Sequence, residues 1–199
     1  MQQLPAAVVI TDGLNSGVDQ TPIITWQSVP DATNFELWIS VRGQAAPLYH
    51  RNNQIQTSHS VESPLGNGDF TVWVRAHLRS GTSTAWGTGF RMSIGVPVTP
   101  KYDGQSITWP VVAGATQYEI WVDFLLGLQL IARSRYIHPS EVFANSWTIP
   151  IGSPAGEYRI WVRALRLEGD STYRAQWGGF VSVVVAQEKK ARPFASPII

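Results

Sequence analysis

Four histidines, His50, His59, His77 and His138, are the side chains best suited to move a proton or hold a metal near neutral pH. None stands at ligand spacing such as His-x-x-x-His with a nearby carboxylate, so each reads as a surface or strand residue. The carboxylates are scattered, and no Asp-x-Asp-x-Asp-Gly calcium loop occurs. Gly66-Asn67-Gly68 is a turn rather than a phosphate cradle, because no strand–helix unit follows it. There is no Gly-x-Ser-x-Gly elbow, and no Ser/His/Asp set stands in a catalytic context. The chain has no cysteine, which removes disulfides, thiolate metal sites and cysteine nucleophiles together. The expectation is a protein with no enzymatic activity, no metal and no cofactor.

Tryptophan is the unusual resource. The 199 residues hold nine Trp, 17 Gly and 13 Pro. Aromatics favour strands, and Gly and Pro punctuate them, so the composition points to an all-β chain. The tryptophans recur in order. Ile24-Thr25-Trp26 returns as Ile107-Thr108-Trp109, and Ala32-Thr33-Asn34-Phe35-Glu36-Leu37-Trp38-Ile39 returns as Ala115-Thr116-Gln117-Tyr118-Glu119-Ile120-Trp121-Val122. Phe70-Thr71-Val72-Trp73-Val74-Arg75-Ala76 returns as Tyr158-Arg159-Ile160-Trp161-Val162-Arg163-Ala164, and Trp86-Gly87…Phe90 as Trp177-Gly178…Phe180. Four blocks in the same order mark an internal duplication. The repeat has the size of a whole small domain, which predicts domains over 1–95 and 96–186, with 187–199 a linker or the start of a further repeat. The boundary segment Gly95-Val96-Pro97-Val98-Thr99-Pro100 is short and Pro-rich, which favours a semi-rigid, end-to-end pair.

Within each copy the apolar period is two, the pattern of half-buried strands. Phe35, Leu37 and Ile39 alternate with Glu36, Trp38 and Ser40; Phe70, Val72, Val74 and Ala76 alternate with Thr71, Trp73, Arg75 and His77. If the apolar set faces the core, Glu36, Trp38, Trp73 and Arg75 face outward together. The corresponding set in the second copy is Glu119, Trp121, Trp161 and Arg163. Parity counted back from Phe90 puts Trp86 inward, and a bulge at Gly87–Gly89 would be needed to turn it out. The second copy reads one residue shorter there, so at least one copy has to be irregular. A guanidinium over an indole gains roughly 0.5–1 kcal/mol at an exposed site and covers apolar area. Two uses of this face stay open. One is a self-contained ladder that stiffens the sheet. The other is an aromatic platform for a glycan ring or a partner protein, carried by Trp38, Trp73, Arg75 and Trp86 with Trp121, Trp161, Arg163 and Trp177.

These blocks resemble the fibronectin type III family. The resemblance rests on Trp26 and Trp109 as core residues of a second strand and on Phe35-Glu36-Leu37 and Tyr118-Glu119-Ile120 as third strands. It rests also on the sixth strands that begin at Phe70 and Tyr158. It implies an all-β chain of two consecutive immunoglobulin-like β-sandwiches, and it says almost nothing of function. A Tyr opening the sixth strand can send its hydroxyl back to upstream backbone. Tyr158 is placed for this; Phe70 has no hydroxyl. Trp86 and Trp177, near an Arg-bearing strand, resemble the stacked ladder of cytokine-receptor type III domains, whose Trp-Ser-x-Trp-Ser motif is absent here. The stretch Gly156–Ala164 is similar to repeats of large bacterial surface proteins.

With 15 Lys+Arg against 14 Asp+Glu, the chain has no electrostatic footprint for nucleic acid or an anionic membrane surface. No apolar run approaches the roughly 20 residues that span a bilayer. The run Phe124-Leu125-Leu126-Gly127-Leu128-Gln129-Leu130-Ile131 is far shorter; it reads as a strand and its turn, or as a contact with the neighbouring domain. No Arg-Gly-Asp occurs, which leaves integrin-type recognition unsupported. Met1-Gln2-Gln3-Leu4-Pro5 carries no visible signal peptide. The expectation is an extracellular or cell-surface spacer, or protein-binding and adhesion module, of a larger protein. The alternative is a carbohydrate-binding module working through its Trp/Arg face. The expected partner is a protein or a glycan.

Overall fold

Alternation decides the architecture. A strand whose every second residue is apolar must lay one face on a core, and two such sheets bury each other. The computed structural model describes residues 7–12, 17–139 and 145–186. The readings of the first five residues and of 187–199 fall outside these. The first sandwich comprises β1 (Ile10–Asp12), β2 (Ile23–Trp26), β3 (Ala32–Val41), β4 (Tyr49–Gln54), β5 (Ser58–Ser60), β6 (Gly68–Leu78) and β7 (Phe90–Ile94). The second comprises β8 (Lys101–Tyr102), β9 (Ile107–Thr108), β10 (Gln117–Leu126), β11 (Gln129–Pro139), β12 (Ser146–Trp147), β13 (Gly156–Glu168), β14 (Ser171–Arg174) and β15 (Val181–Val185).

Each sandwich sets a three-stranded sheet against a larger one. The orders are β1-β2-β5 with β4-β3-β6-β7, and β12-β9-β8 with β11-β10-β13, where β13 also pairs β14 and β15. All strand pairs are antiparallel. These are two consecutive immunoglobulin-like sandwiches with the fibronectin type III-like arrangement of strands. Val72 and Val74 on β6 are buried in the first core with Ile24, Trp26, Leu37 and Ile39. Ile160 and Val162 on β13 are buried in the second with Ile107, Trp109, Ile120 and Val122. Trp26 meets Phe35 edge-on at 5.6 Å, and Trp109 meets Tyr118 edge-on at 5.3 Å.

Replacing Phe35 and Phe70 by tyrosines adds two backbone ties to the second copy. The Tyr158 hydroxyl donates to the Pro154 carbonyl at 2.8 Å, and the Tyr118 hydroxyl accepts from the Val112 amide at 3.0 Å. The Leu-rich run is a hairpin. Leu125 pairs with Leu130 and Leu126 with Gln129, leaving Gly127 and Leu128 as the turn, with Gly127 at φ +59°. Leu128 is almost fully exposed at this tip.

The segments leading into β7 and β15, the G strands of the two sandwiches, correct two expectations. Phe90 pairs with Val72, and Val181, not Phe180, pairs with Ile160. Trp86, Gly87, Gly89 and Phe90 therefore correspond to Trp177, Gly178, Phe180 and Val181 at one constant spacing, and neither copy is short. The apparent missing residue came from matching two phenylalanines that occupy different positions. Trp86 also escapes strand parity. The stretch 85–89 is not in the ladder, because the chain leaves the edge of β6 there and crosses to the segment at Val8 that leads into β1, strand A of the sandwich. A Cβ on Gly87 would collide with the Val8 carbonyl, and one on Gly178 with the Val98 carbonyl. Glycine is thus needed at both crossings.

Removing the Tyr158 hydroxyl should cost the net value of one hydrogen bond. Tyr158→Phe is expected to lower the unfolding free energy of the second sandwich by about 0.5–1.5 kcal/mol. Urea denaturation of the intact chain, followed by tryptophan emission, reads this loss. An unchanged midpoint would mean that the bond contributes nothing.

Candidate functional site

The large sheet of each sandwich carries the tryptophan–arginine face. In the first, Trp38 on β3 stands opposite Trp73 on β6, and Glu36 opposite Arg75. In the second, Trp121 on β10 stands opposite Trp161 on β13, and Glu119 opposite Arg163. Cross-strand neighbours lie within side-chain reach of each other, so register alone assembles the four residues. Trp86 and Trp177 arrive from the G-strand crossing. The Arg75 guanidinium lies 4.6 Å from the Trp86 ring centroid, and the Arg163 guanidinium 4.3 Å from that of Trp177. Trp38 meets Trp86 edge-on at 6.1 Å, and Trp121 meets Trp177 edge-on at 6.5 Å. All eight named Trp and Arg residues of the two faces are half-buried.

The glutamates point outward yet are buried beneath this ladder, Glu36 at 5% and Glu119 at 2% exposure. A buried carboxylate needs charged or hydrogen-bonding partners. Arg163 supplies them to Glu119 Oε2, from Nε at 2.7 Å and Nη2 at 2.6 Å. Glu36 gathers more. Arg75 Nε reaches Oε2 at 2.5 Å, His50 Nε2 lies 2.8 Å from Oε1, and His77 Nε2 lies 3.3 Å from Oε2. Two histidines read as isolated strand residues thus converge on one carboxylate. The signal was present, since His77 shares the outward parity of Arg75, but the approach of His50 from β4 depends on sheet order. His59 is elsewhere, between the Tyr49 hydroxyl at 2.6 Å and Gln54 Oε1 at 2.8 Å. Burial alone would raise the Glu36 pKa. The hydrogen bonds and charges of His50 and Arg75 outweigh it and hold the carboxyl below the ordinary glutamate value of 4.5. A carboxylate kept ionised, with donors on both oxygens, holds its neighbours in position.

Above each ladder lies a cleft. In the first sandwich it measures about 340 Å³ and is lined by Trp38, Trp73, Trp86, Gln44 and Ala45. In the second it measures about 350 Å³ and is lined by Trp121, Trp161, Trp177, Asp123 and Arg133. Gln44, Asp123 and Arg133 were not singled out from the sequence. Asp123 could have been, because it stands two residues beyond Trp121 and shares its face. Gln44 could not, because it comes from the loop between β3 and β4. Trp26 and Trp109 stay in the cores, away from these faces. Among the described residues, no group of three His, Asp or Glu is arranged to hold a metal ion.

No family profile matches this chain, and no curated protein matches it. Solved structures do. A two-domain fibronectin type III segment from chicken tenascin is 12% identical over 93% of this chain and 100% of that one, with a TM-score of 0.40. The FN1–FN3 domains of chicken CNTN1 are 15% identical over 93% of this chain and 67% of that one, with a TM-score of 0.34. The fold assignment rests on the strand order and register described above.

The depressed Glu36 pKa carries a sign for stability. Its contribution is fully present above the unfolded value near 4.5 and is lost as pH falls through the lower folded value. As pH falls below the unfolded value near 4.5, the first sandwich is expected to lose stability more steeply in the parent than in Glu36→Gln. Chemical denaturation across that range tests this; parallel profiles would remove Glu36 as the cause.

Proposed function

We propose that this chain is a non-catalytic, rigid two-module segment of a larger extracellular protein, holding flanking parts at a set distance and presenting its sheet faces for binding. The joint between the sandwiches carries this reading. Val18, from the loop between β1 and β2, is fully buried among the second core residues. Its amide donates to the Ala113 carbonyl at 3.1 Å. Gly95 N donates to Gly17 O at 2.6 Å, and Gln176 N to Gly95 O at 3.0 Å. Asn67 Nδ2 donates to the Arg174 carbonyl at 2.6 Å, and Arg166 Nη2 lies 3.7 Å from Asp19 Oδ2. Gly17 has φ +57°, and a Cβ there would overlap the Ala113 carbonyl. A flexible linker would require none of this. An apolar plug with backbone hydrogen bonds on both sides resists hinge motion.

A second reading has its own observation. The paired tryptophan-lined clefts are suited to stacking a sugar ring, which supports a carbohydrate-binding role for the same faces.

The joint is tested by Val18→Asp in the intact chain. Losing the buried side chain is expected to cost the second sandwich at least about 1.5–3 kcal/mol. It is also expected to broaden the distance distribution in small-angle scattering. A variant with unchanged stability and an unchanged scattering profile would refute the rigid-spacer reading.

A further inference from the structure

The two clefts look like copies, but three equivalent positions differ. Where the second sandwich has Asp123, Arg133 and Phe180, the first has Ser40, Leu48 and Gly89. The correspondence follows from register. Asp123 and Ser40 each stand two residues beyond the paired tryptophan. Arg133 and Leu48 each stand two residues before the residue opposite that tryptophan, Arg135 or His50. Phe180 and Gly89 each stand three residues after Trp177 or Trp86.

In the second sandwich these side chains engage the indoles. The Trp121 Nε1–H donates to Asp123 Oδ1 at 2.9 Å. Arg133 pairs with Asp123 at 3.0 Å and lies 5.8 Å from the Trp121 ring centroid. Phe180 packs on Trp161 at 5.0 Å, and Arg159 caps Phe180 at 5.3 Å. In the first sandwich that equipment is missing. Ser40 is buried with its hydroxyl unpartnered. Among the described residues, the Nε1–H groups of Trp38, Trp73 and Trp86 have no acceptor, and none of the three is sealed from solvent. Trp73 has neither a ring partner nor a cation partner there. Gly89 is what lets its indole lie down. A Cβ at 89 would collide with Nε1 and Cε2 of Trp73.

We propose that the cleft of the first sandwich is the ligand site of this chain, that its ligand is a neutral pyranose ring of a glycan, and that the cleft of the second, equally open but with Trp121 and Trp161 already engaged by Asp123, Arg133 and Phe180, is a structural ladder. This rests on the carbohydrate reading of the aromatic face. The chemistry selects the ligand. Indoles set at 68° to each other, Trp38 and Trp86, form a corner for one ring. The C–H face of a sugar stacks on an indole, its hydroxyl oxygens accept from the free Nε1–H groups, and the Gln44 amide can both donate and accept. No charged side chain lines this cleft, and the Arg75 charge nearby is matched by Glu36. An extended peptide finds no unpaired backbone at the floor, because β3 and β6 each pair with a strand on both sides.

The test uses the intact chain and five neutral hexasaccharides, of cellulose, xylan, mannan, starch and chitin type. Calorimetric titration and tryptophan emission read binding to the parent, Trp73→Ala, Trp161→Ala and Gly89→Phe, with folding checked by circular dichroism. At least one hexasaccharide is expected to bind. Trp73→Ala and Gly89→Phe are each expected to weaken it about tenfold or more, and Trp161→Ala to leave it within about twofold. If Trp73→Ala does not fold, Gly89→Phe carries the contrast alone. Equal weakening by Trp73→Ala and Trp161→Ala would overturn the asymmetry while leaving the carbohydrate reading in place. No binding of any of the five at millimolar concentration would overturn both, and the rigid-spacer reading would still stand or fall on Val18. A polygalacturonate hexasaccharide is titrated alongside them, and its binding in place of the neutral ones would overturn the neutral-ligand assignment.

Discussion

From Asn34 to Val41 strand β3 pairs with β6 in one register, and β10 repeats it on β13 from Gln117; most of what distinguishes this chain follows from that pairing. Leu37 lies opposite Val74 and Ile39 opposite Val72 on the core side. On the outer side the same register sets Trp38 against Trp73 and Glu36 against Arg75. A slip of one residue would turn the apolar set to water and the tryptophans and charges into the core, so burial on one face locks the arrangement on the other. The ladder is in this sense a by-product of the core, made usable by the residues that happen to alternate with it.

Burying a glutamate under that ladder has a physical logic. Glu36 and Glu119 fix the guanidiniums of Arg75 and Arg163 in place, and the fixed guanidiniums then sit over Trp86 and Trp177. Without the anchor, a long arginine side chain would lose rotamer entropy for a weak contact with an indole. In the first sandwich His50 and His77 also contact the anchoring Glu36, and His50 tilts against Trp38 at 5.1 Å. The two copies share the anchor and differ around it: one face has Asp123, Arg133 and Phe180 in contact with its indoles, and the other has serine, leucine and glycine at the same positions.

The joint between the sandwiches arises from a different part of the structure. Its residues, Gly17, Val18, Asn67, Gly95 and Gln176, come from loops and from the boundary between the repeats, where the two copies have no equivalent pattern to compare. Val18 is a lone apolar residue between polar neighbours and carries no periodic signal. Only the approach of the second sandwich gives it a core to enter. The short Pro-rich boundary pointed toward stiffness; it supplies Gly95, but the partners of Gly95 and the buried Val18 lie far from it in sequence.

Strand positions, inward faces and the outward set of Trp, Arg and Glu were legible from alternation, because a period of two is a local property that backbone geometry converts directly into faces. Parity failed at Trp86, where the chain leaves the ladder to cross to strand A, and matching by residue type failed at Phe180, where Val181 holds the position of Phe90. The sequence by itself therefore determined the all-β class, the duplicated pattern and which side chains lie outside. Tertiary structure alone decided which of them meet: Trp86 over Arg75, His50 and His77 on Glu36, Gln44 at the cleft wall, and Val18 in a neighbouring core. Those contacts depend on sheet order, loop paths and the docking of one sandwich on another, and none of these leaves a repeat in the order of residues.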